Sequence, residues 1–170
     1  MKNNNRDFLN LFLGIIVLIG VLGCGAPKNL LTFSEYEVHC VGVGSQGTQL
    51  IKVFCYGKKA DMSDAIAEAK KNAVHAILFR GVAASSGCGG KSLSSQADLE
   101  KNKDFYTDFF KPNGQYLQYL NLSSDGSVSP NDRLKVGNRY KVGVVVSVAK
   151  DALRKDLEKA GVIKGLSSGF

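Results

Sequence analysis

Most of the chemistry available to this sequence lies in its cysteines, which are Cys24, Cys40, Cys55 and Cys88. The first of them ends the stretch Val21-Leu22-Gly23-Cys24, which closes an apolar run. An aliphatic residue, a tolerated residue, a small residue and then cysteine form the pattern of a bacterial lipobox, in which the thiol receives a diacylglycerol thioether. The pattern predicts that Cys24 is lipidated and becomes the first residue of the mature chain.

The segment before Cys24 has the organisation of a secretion signal. Residues 1–8 are polar and include Lys2 and Arg6, and residues 9–22 are apolar apart from Asn10. A basic start, an apolar middle and a small-residue end are typical of a cleaved signal, and the apolar run is shorter than the roughly 20 residues of a membrane span. The alternatives are a plain N-terminal anchor and an uncleaved signal with an unmodified cysteine. We predict a signal peptide over 1–23, a lipidated cysteine and tether over 24–35, and one domain over 36–170.

The residues after Cys24 bear on which membrane carries the protein. Gly25, and not the Asp that retains enteric lipoproteins in the inner membrane, follows the cysteine, and no acidic run of the kind that favours surface export is present. Because a bacterial lipoprotein carries several lipid chains, its anchor is stable. The sequence therefore predicts a lipoprotein of the outer membrane that faces the periplasm.

Three cysteines remain for disulfide formation, which the exported compartment permits, and one of them must stay unpaired. If Cys40 lies opposite Cys55 in an antiparallel hairpin, their Cα atoms are about 4.5–5.5 Å apart, within disulfide reach. A register one residue different excludes this bond, and the alternative is that both are reduced, small core residues. Cys88 would then be an exposed free thiol in a glycine-rich loop.

Other catalytic or binding patterns are weak. Gly89-Gly90-Lys91-Ser92 resembles the end of a phosphate-binding loop, but the first glycine of that motif would fall at Ser85. His39 and His75 have neither metal-ligand spacing nor a nucleophile partner that the sequence can identify. We therefore expect no enzyme, no cofactor, no metal and no nucleotide.

Aromatic residues are concentrated in one region that could be an interaction patch. The candidate patch residues are Phe105, Tyr106, Phe109, Phe110, Tyr116 and Tyr119. Exposed together, they would form a surface for a protein partner or a glycan. The alternative is that these rings fill the core beneath the segment that carries them.

The charge balance narrows the class of partner. The formal net charge of the 170 residues is +7, and it falls to +6 when residues 1–23, with Lys2, Arg6 and Asp7, are removed. The basic residues form dispersed pairs and not one block. Nucleic acid is a poor partner for an exported protein, so we expect anionic headgroups or an acidic protein.

The elements that must position these residues are predicted from periodicity. Alternation predicts strands over 36–43, 49–56, 116–122 and 140–148, the first two as a hairpin and the last central in the sheet. Alanines at helical spacing predict a helix over 63–80, and further helices are predicted over 97–110 and 151–160. Residues 82–96 are predicted to be a loop. The fold class is α+β, a small antiparallel sheet with an Ala-rich helix on one face, an inserted loop plus second helix, and a short C-terminal helix.

Two stretches carry a resemblance to a known group of proteins. They are Ala65-Ile66-Ala67-Glu68-Ala69-Lys70, after the strand hairpin, and the run from Gly137 through Val148, which reads GNRYKVGVVVSV. With the lipobox, this pattern resembles small bacterial envelope lipoproteins related to the N-terminal domain of flagellar assembly protein T, and it is similar to uncharacterised lipoproteins of Bacteroidetes-type bacteria. The resemblance implies a helix on one face of a curved antiparallel sheet, an assembly or scaffolding role, and no transferable catalytic residues. It does not cover residues 82–115, where a loop and a helix are inserted.

The functional expectation is a lipid-anchored cell-envelope protein with a structural, assembly or protein-interaction role. It would be held by the lipid on Cys24 and would bind another envelope protein. The alternative is a periplasmic or surface lipoprotein that binds a small ligand or a glycan through the 82–122 insert. An apolar pocket lined by the aromatic residues of the insert would favour the ligand, and a flat exposed patch would favour the protein partner.

Overall fold

The computed structural model describes residues 31–57, 61–85, 88–122 and 128–165. The predicted signal peptide over 1–23, the lipidated Cys24 and most of the predicted tether lie outside these residues. Leu31 and Phe33 pack against the hydrophobic core. The packed domain therefore begins before residue 36, and the tether is shorter than predicted.

The described elements confirm the α+β class. In chain order they are β1 (Tyr36–Val43), β2 (Thr48–Tyr56), α1 (Met62–His75), β3 (Val82–Ser85), β4 (Cys88–Gly90), α2 (Gln96–Lys101), α3 (Lys103–Phe109), β5 (Leu120–Leu122), β6 (Arg133–Val136), β7 (Arg139–Ala149) and α4 (Lys150–Lys159). A π-helical turn, Ala76–Arg80, extends α1, and 3-10 turns precede β5 and β6.

The main sheet is antiparallel and has β7 at its centre, as the sequence predicts. β2 lies between β1 and β7, and the short strands β5 and β6 pair with different parts of the opposite edge of β7. Val53 lies opposite Val144 and Ile51 opposite Val146. All four are buried, because strand side chains alternate and this face is the one that receives α1.

Alanine allows α1 to lie close to the sheet. Ala65, Ala69 and Ala73 are fully buried, and the Asp61 side chain caps the helix by accepting a hydrogen bond from the Ser63 amide. The helix predicted over 63–80 is α-helical only as far as His75. Its last turn is a π-helix in which an amide donates to a carbonyl five residues earlier.

The register of the first hairpin differs from the one considered in the disulfide prediction. Cys40 lies opposite Ile51, and Tyr36 lies opposite Cys55. The turn is tight, because Gln46 and Gly47 adopt positive φ angles, and β2 begins at Thr48, one residue before the strand predicted over 49–56. Between Tyr36 and Cys40 the shift is four residues, an even number, so Val38 and Cys40 remain on the same face as Ile51 and Val53.

The inserted segment is more ordered than predicted. Residues 82–96, predicted to be a loop, contain the two-stranded ribbon of β3 and β4, which lies beside β1. The helix predicted over 97–110 is divided into α2 and α3, because Asn102 leaves the helical conformation. The strand predicted over 116–122 begins as a 3-10 turn, Gln115–Tyr119, and is a strand only in β5.

The C-terminal part of the chain closes the core as predicted. Leu153 and Leu157 of α4 are buried, and Val162 and Ile163 pack back on the domain after Gly161. Gly161 has a φ of +68°, the left-handed conformation with which glycine ends helices.

Candidate functional site

The disulfide joins Cys40 to Cys88, with Cα atoms 5.8 Å apart. The predicted pair Cys40 and Cys55 is therefore wrong, because the hairpin register places Cys40 opposite Ile51, four residue pairs away from Cys55. Cys88 is buried and not an exposed thiol. The bond holds the β3–β4 ribbon against β1, and the Gln49 amide adds a hydrogen bond to the carbonyl oxygen of Gly89 at 3.0 Å.

Cys55 is the free cysteine among the described residues, and it is buried. Burial raises the pKa of its thiol to about 12, and the negative charge of Glu68 raises it further. The Sγ atom lies 3.5 Å from the carbonyl oxygen of Ala65 in α1. A protonated thiol in an apolar layer is a packing group, since the thiolate is the reactive form.

The prediction that the aromatic residues form an exposed patch is wrong. Its buried members are Tyr106, Phe109, Phe110, Tyr116 and Tyr119, and Phe105 is partly buried. Phe109 stacks against Tyr119, and Phe110 packs on Tyr116. The Tyr119 hydroxyl donates to Asp156 of α4 at 2.9 Å. These rings fill the core beneath the insert, because burial of an aromatic ring removes a large apolar area from water.

The two histidines lie in different environments. His39 is exposed on β1. His75 lies at the end of α1, where Phe33 stacks on its ring at a centroid distance of 3.9 Å and the hydroxyl of Tyr36 lies 2.7 Å from Nδ1. Burial lowers the pKa of His75 to about 4, and the charges of Arg80 and Lys71 lower it further. The ring is therefore neutral at pH 7, and its Nδ1 atom is already hydrogen-bonded.

The segment that leads into β1 is attached to α1 by polar contacts. Lys71 donates to the carbonyl oxygen of Thr32 at 3.2 Å, and Asn72 donates to the hydroxyl of Ser34 at 3.0 Å. The Lys71 ammonium also lies 4.8 Å from the centroid of the Phe33 ring. These contacts fix the direction in which the chain approaches the domain from its N-terminal side.

A cavity of about 820 Å³ surrounds the start of β1. Its lining includes Glu35, Glu37, His75, Arg80 and Lys141. The charges are of both signs, and Lys141 pairs with Glu37 at 3.4 Å. Two polar pairs of this lining are therefore engaged with each other, His75 with the Tyr36 hydroxyl and Lys141 with Glu37.

The free edge of β1 carries two of the four exposed large apolar residues of the described chain. β1 ends the strand order, and its strand partner among the described residues is β2 alone. Val41 is 55% exposed and Val43 is 58% exposed, and a register shift between Cys40 and Gly42 marks a β-bulge. Leu134 and Val136 of β6 are also exposed. An edge strand with exposed valines is a surface to which another strand can add.

A second cavity, of about 470 Å³, lies between β1 and the β3–β4 ribbon. Arg80 and Lys91 line it, together with Val38 of β1. Arg80 donates through Nη1 to the carbonyl oxygen of Tyr36 at 2.8 Å. No sequence motif marks Arg80, and Lys91 belongs to the glycine stretch that lacks the first glycine of a phosphate loop. Their proximity depends on the ribbon and could not be found from spacing.

The Gly89-Gly90-Lys91-Ser92 stretch does not have the context of a phosphate loop. Gly89 and Gly90 belong to β4, and the next helix begins only at Gln96. Gly89 has a φ of +99°, and a Cβ there would meet the carbonyl oxygen of Ala83. The glycine is therefore explained by close packing within the ribbon.

Within the described ranges, no group of three His, Cys, Asp or Glu side chains is arranged to hold a metal ion. No helix in the same ranges has the length and apolar character needed to cross a membrane. Comparison with known proteins found no matching family model, curated protein or solved structure. The resemblance to envelope lipoproteins related to flagellar assembly protein T stays a prediction.

Proposed function

We propose that this chain is a lipid-anchored cell-envelope protein with a structural, assembly or protein-interaction role. The lipid on Cys24 holds it in the membrane, in the outer membrane facing the periplasm, and a second envelope protein binds the folded domain. Catalysis, a cofactor, nucleotide and nucleic acid have no part in this proposal. The lipobox at 21–24 supports the anchor.

The single observation that carries the interaction role is the free edge of β1, with Val41 and Val43 exposed beside it. Exposed apolar residues on an edge strand favour a protein partner, since strand addition covers both the backbone groups and the side chains. The disulfide between Cys40 and Cys88 supports an exported location, because such bonds persist in oxidising compartments.

The position of the domain relative to the anchor supports a partner at the membrane. The chain from Cys24 to Leu31 reaches at most about 25 Å when fully extended, and Leu31 already packs against the core. The domain therefore works close to the lipid surface, and its partner is expected there.

Crosslinking in native membranes tests this proposal. A photoreactive amino acid at Val41 in the full chain should give a discrete crosslinked product that copurifies with the membrane fraction. The same amino acid at Lys155, which is exposed on α4, is the matched control and should give less of that product. A Cys24→Ser variant should not incorporate a clickable fatty acid. Equal fatty-acid labelling of wild type and variant would contradict the anchor, and equal crosslinking at both positions would contradict the interaction site.

A second candidate function is capture of a small ligand or glycan by the insert. A groove of about 420 Å³ lies between α1 and the end of the insert, and its lining includes Ile66, Lys70, Tyr116 and Leu117. It favours this function because one aromatic residue of the insert, Tyr116, reaches it. An Ile66→Trp variant places a larger side chain in the groove. If the function is ligand capture, this variant should lose function in the cell, while its crosslinking at Val41 should be the same as in the wild type.

A further inference from the structure

The edge of β1 borders a cleft whose opposite wall is basic. The cleft is the second cavity, and its lining consists of Val38, Arg80, Gly81, Val82, Ala83, Gly90 and Lys91. No acidic side chain contributes to this lining in the described part of the chain. A site with cations on one side and a strand edge on the other has the features of a surface for an extended anionic chain.

Arg80 is held in place at this cleft. Its Nη1 atom donates to the carbonyl oxygen of Tyr36, and its guanidinium carbon lies 5.0 Å from the centroid of the Tyr36 ring. The residue is nevertheless exposed, and it lines the cleft. An oriented guanidinium binds a carboxylate with little loss of side-chain entropy.

Lys91 adds positive charge at the ribbon end of the cleft, and Lys150, which is outside the lining, approaches Gly90. Lys91 is exposed and follows β4 directly. The Lys150 ammonium lies 3.4 Å from the position that a Cβ on Gly90 would occupy. Glycine at residue 90 therefore leaves room for the ammonium of Lys150 against the ribbon, and the local charge is positive on the side of the sheet that faces α1.

The acidic residues near β1 are outside the lining of this cleft, although Arg80 lines both the cleft and the larger cavity that Glu35 and Glu37 line. Glu37 is on the opposite face of the strand from Val38 and pairs with Lys141. Glu35 lines the larger cavity at the start of β1. A bound strand would thus meet cations on the α1 side of the sheet and acidic residues elsewhere, so its own acidic residues are needed only at alternate positions.

We propose that the free edge of β1 binds an extended acidic segment of the partner protein as an added strand. Backbone hydrogen bonds to β1 supply affinity, and carboxylates at alternate positions of the segment bind Arg80 and Lys91. This inference rests on the proposed interaction role and names the site and the chemistry of the partner.

A synthetic peptide provides the direct test. The probe is a fluorescent peptide of the length of β1 in which Glu and Val alternate, added to the full-length lipidated protein in detergent micelles. Fluorescence anisotropy should show saturable binding that weakens as salt is raised, because the contacts are between charges. A peptide in which Lys and Val alternate should bind at least about tenfold more weakly, as expected when charge-assisted contacts are lost. Equal binding of both peptides would overturn the acidic specificity.

Variants locate the site. Lys91→Gln should weaken the Glu–Val peptide by about tenfold, while Lys155→Gln removes the same charge from α4 and should leave binding unchanged. Circular dichroism melts of both variants report whether the fold is kept. If Lys155→Gln weakens binding as much as Lys91→Gln, the attraction is general and the site is wrong.

Backbone methylation separates strand addition from simple charge attraction. A Glu–Val peptide with N-methyl groups on alternate amides keeps its charge but cannot pair as a strand along the methylated edge. The methyl groups can be placed on either of the two alternating sets of amides. The placement that methylates the amides facing β1 should abolish binding, and the other should not. Unchanged binding of both methylated peptides would overturn strand addition.

The remaining occupant of the edge is a second copy of the chain. Sedimentation of the wild type and of Val43→Lys tests this occupant. If the wild type is a dimer, the variant is a monomer and the Glu–Val peptide does not bind, the edge serves self-association and the proposed acidic partner is wrong. The proposed function can fail independently. If Cys24 carries no lipid but the peptide still binds, the proposed anchor is wrong and the binding site is kept. If a partner crosslinks to another surface and not to β1, the interaction role is kept and the β1 site is wrong.

Discussion

Cys40 in β1 and Cys88 in β4 are joined across 48 residues of sequence, with their Cα atoms 5.8 Å apart. The bond closes a loop that contains β2, α1 and β3. It therefore connects the edge of the sheet to the insert, and it holds beside β1 the ribbon whose Val82, Ala83 and Gly90 line the basic cleft.

Removal of this disulfide should destabilise the domain. A variant with Cys40→Ser and Cys88→Ser should lose about 2–4 kcal/mol of unfolding free energy, because the unfolded chain is no longer constrained. Urea unfolding with and without reductant measures the effect. Reductant should lower the midpoint of the wild type and leave that of the variant unchanged. Peptide mapping of the unreduced protein should recover Cys40 linked to Cys88, with Cys55 alkylated only after unfolding, and a Cys40–Cys55 peptide would contradict the structure.

His75 should make stability depend on pH. Its pKa is about 4 in the folded protein against an ordinary value of 6.5, so the unfolded chain takes up a proton first as the pH falls. Stability from this group is complete above about pH 6.5 and is lost progressively down to about pH 4. Urea midpoints at several pH values should show this loss in wild type and in His39→Gln. The loss should be smaller in His75→Phe, which retains a ring against Phe33 but cannot titrate. An unchanged pH dependence in His75→Phe would contradict the assignment.

The two faces of β7 should respond differently to truncation. Val146 is fully buried beneath α1, whereas Val145 is half-buried on the other face. Val146→Ala should cost about 1–3 kcal/mol, from the lost transfer free energy and the cavity that remains. Val145→Ala should cost less. Denaturant melts of the two variants compare them directly, and a larger effect at Val145 would mean that the covered face had been assigned wrongly.

The insert should behave as core and not as a binding surface. Phe109 is 2% exposed, and its ring contacts Phe105, Tyr106, Phe110 and Tyr119. Phe109→Ala should cost about 3–5 kcal/mol of unfolding free energy. Phe105→Ala should cost less, since its ring is only partly buried. Thermal denaturation measures both changes. If Phe109→Ala keeps native stability but no longer crosslinks at Val41, the aromatic residues form an interaction surface and not core.

Local patterns predicted the elements whose periodicity is long and regular. The alternating valines from Val142 to Val148 identified the central strand, and the alanines of α1 identified the helix that packs on it. Both predictions succeed because a buried strand and a buried helix face must each repeat an apolar residue with a fixed period. The lipobox at Cys24 is equally local, and it remains a prediction from sequence.

The candidate sites could be predicted only in part. The sequence indicates that two of the three remaining cysteines can form a disulfide, but the predicted partner of Cys40, Cys55, is wrong. The aromatic cluster was located, but its exposure was wrong. Arg80 and Lys91 were not connected at all, because eleven positions of sequence separate them and the ribbon of β3 and β4 had been predicted as a loop.

The sequence by itself determined the fold class, the central strand and the apolar face of the first hairpin, since each depends on side-chain alternation within one segment. Only the tertiary structure decided the pairing of Cys40 with Cys88, the burial of Phe109 and the cleft between Val38 and Lys91. The physical reason is that these contacts depend on the hairpin register and on the way the insert packs back on the domain. Between Tyr36 and Cys40 the register differs from the predicted one by four residues, so Val38 and Cys40 stay on the same face as Ile51 and Val53, whereas the bulge before Gly42 places Val43 opposite Gln49.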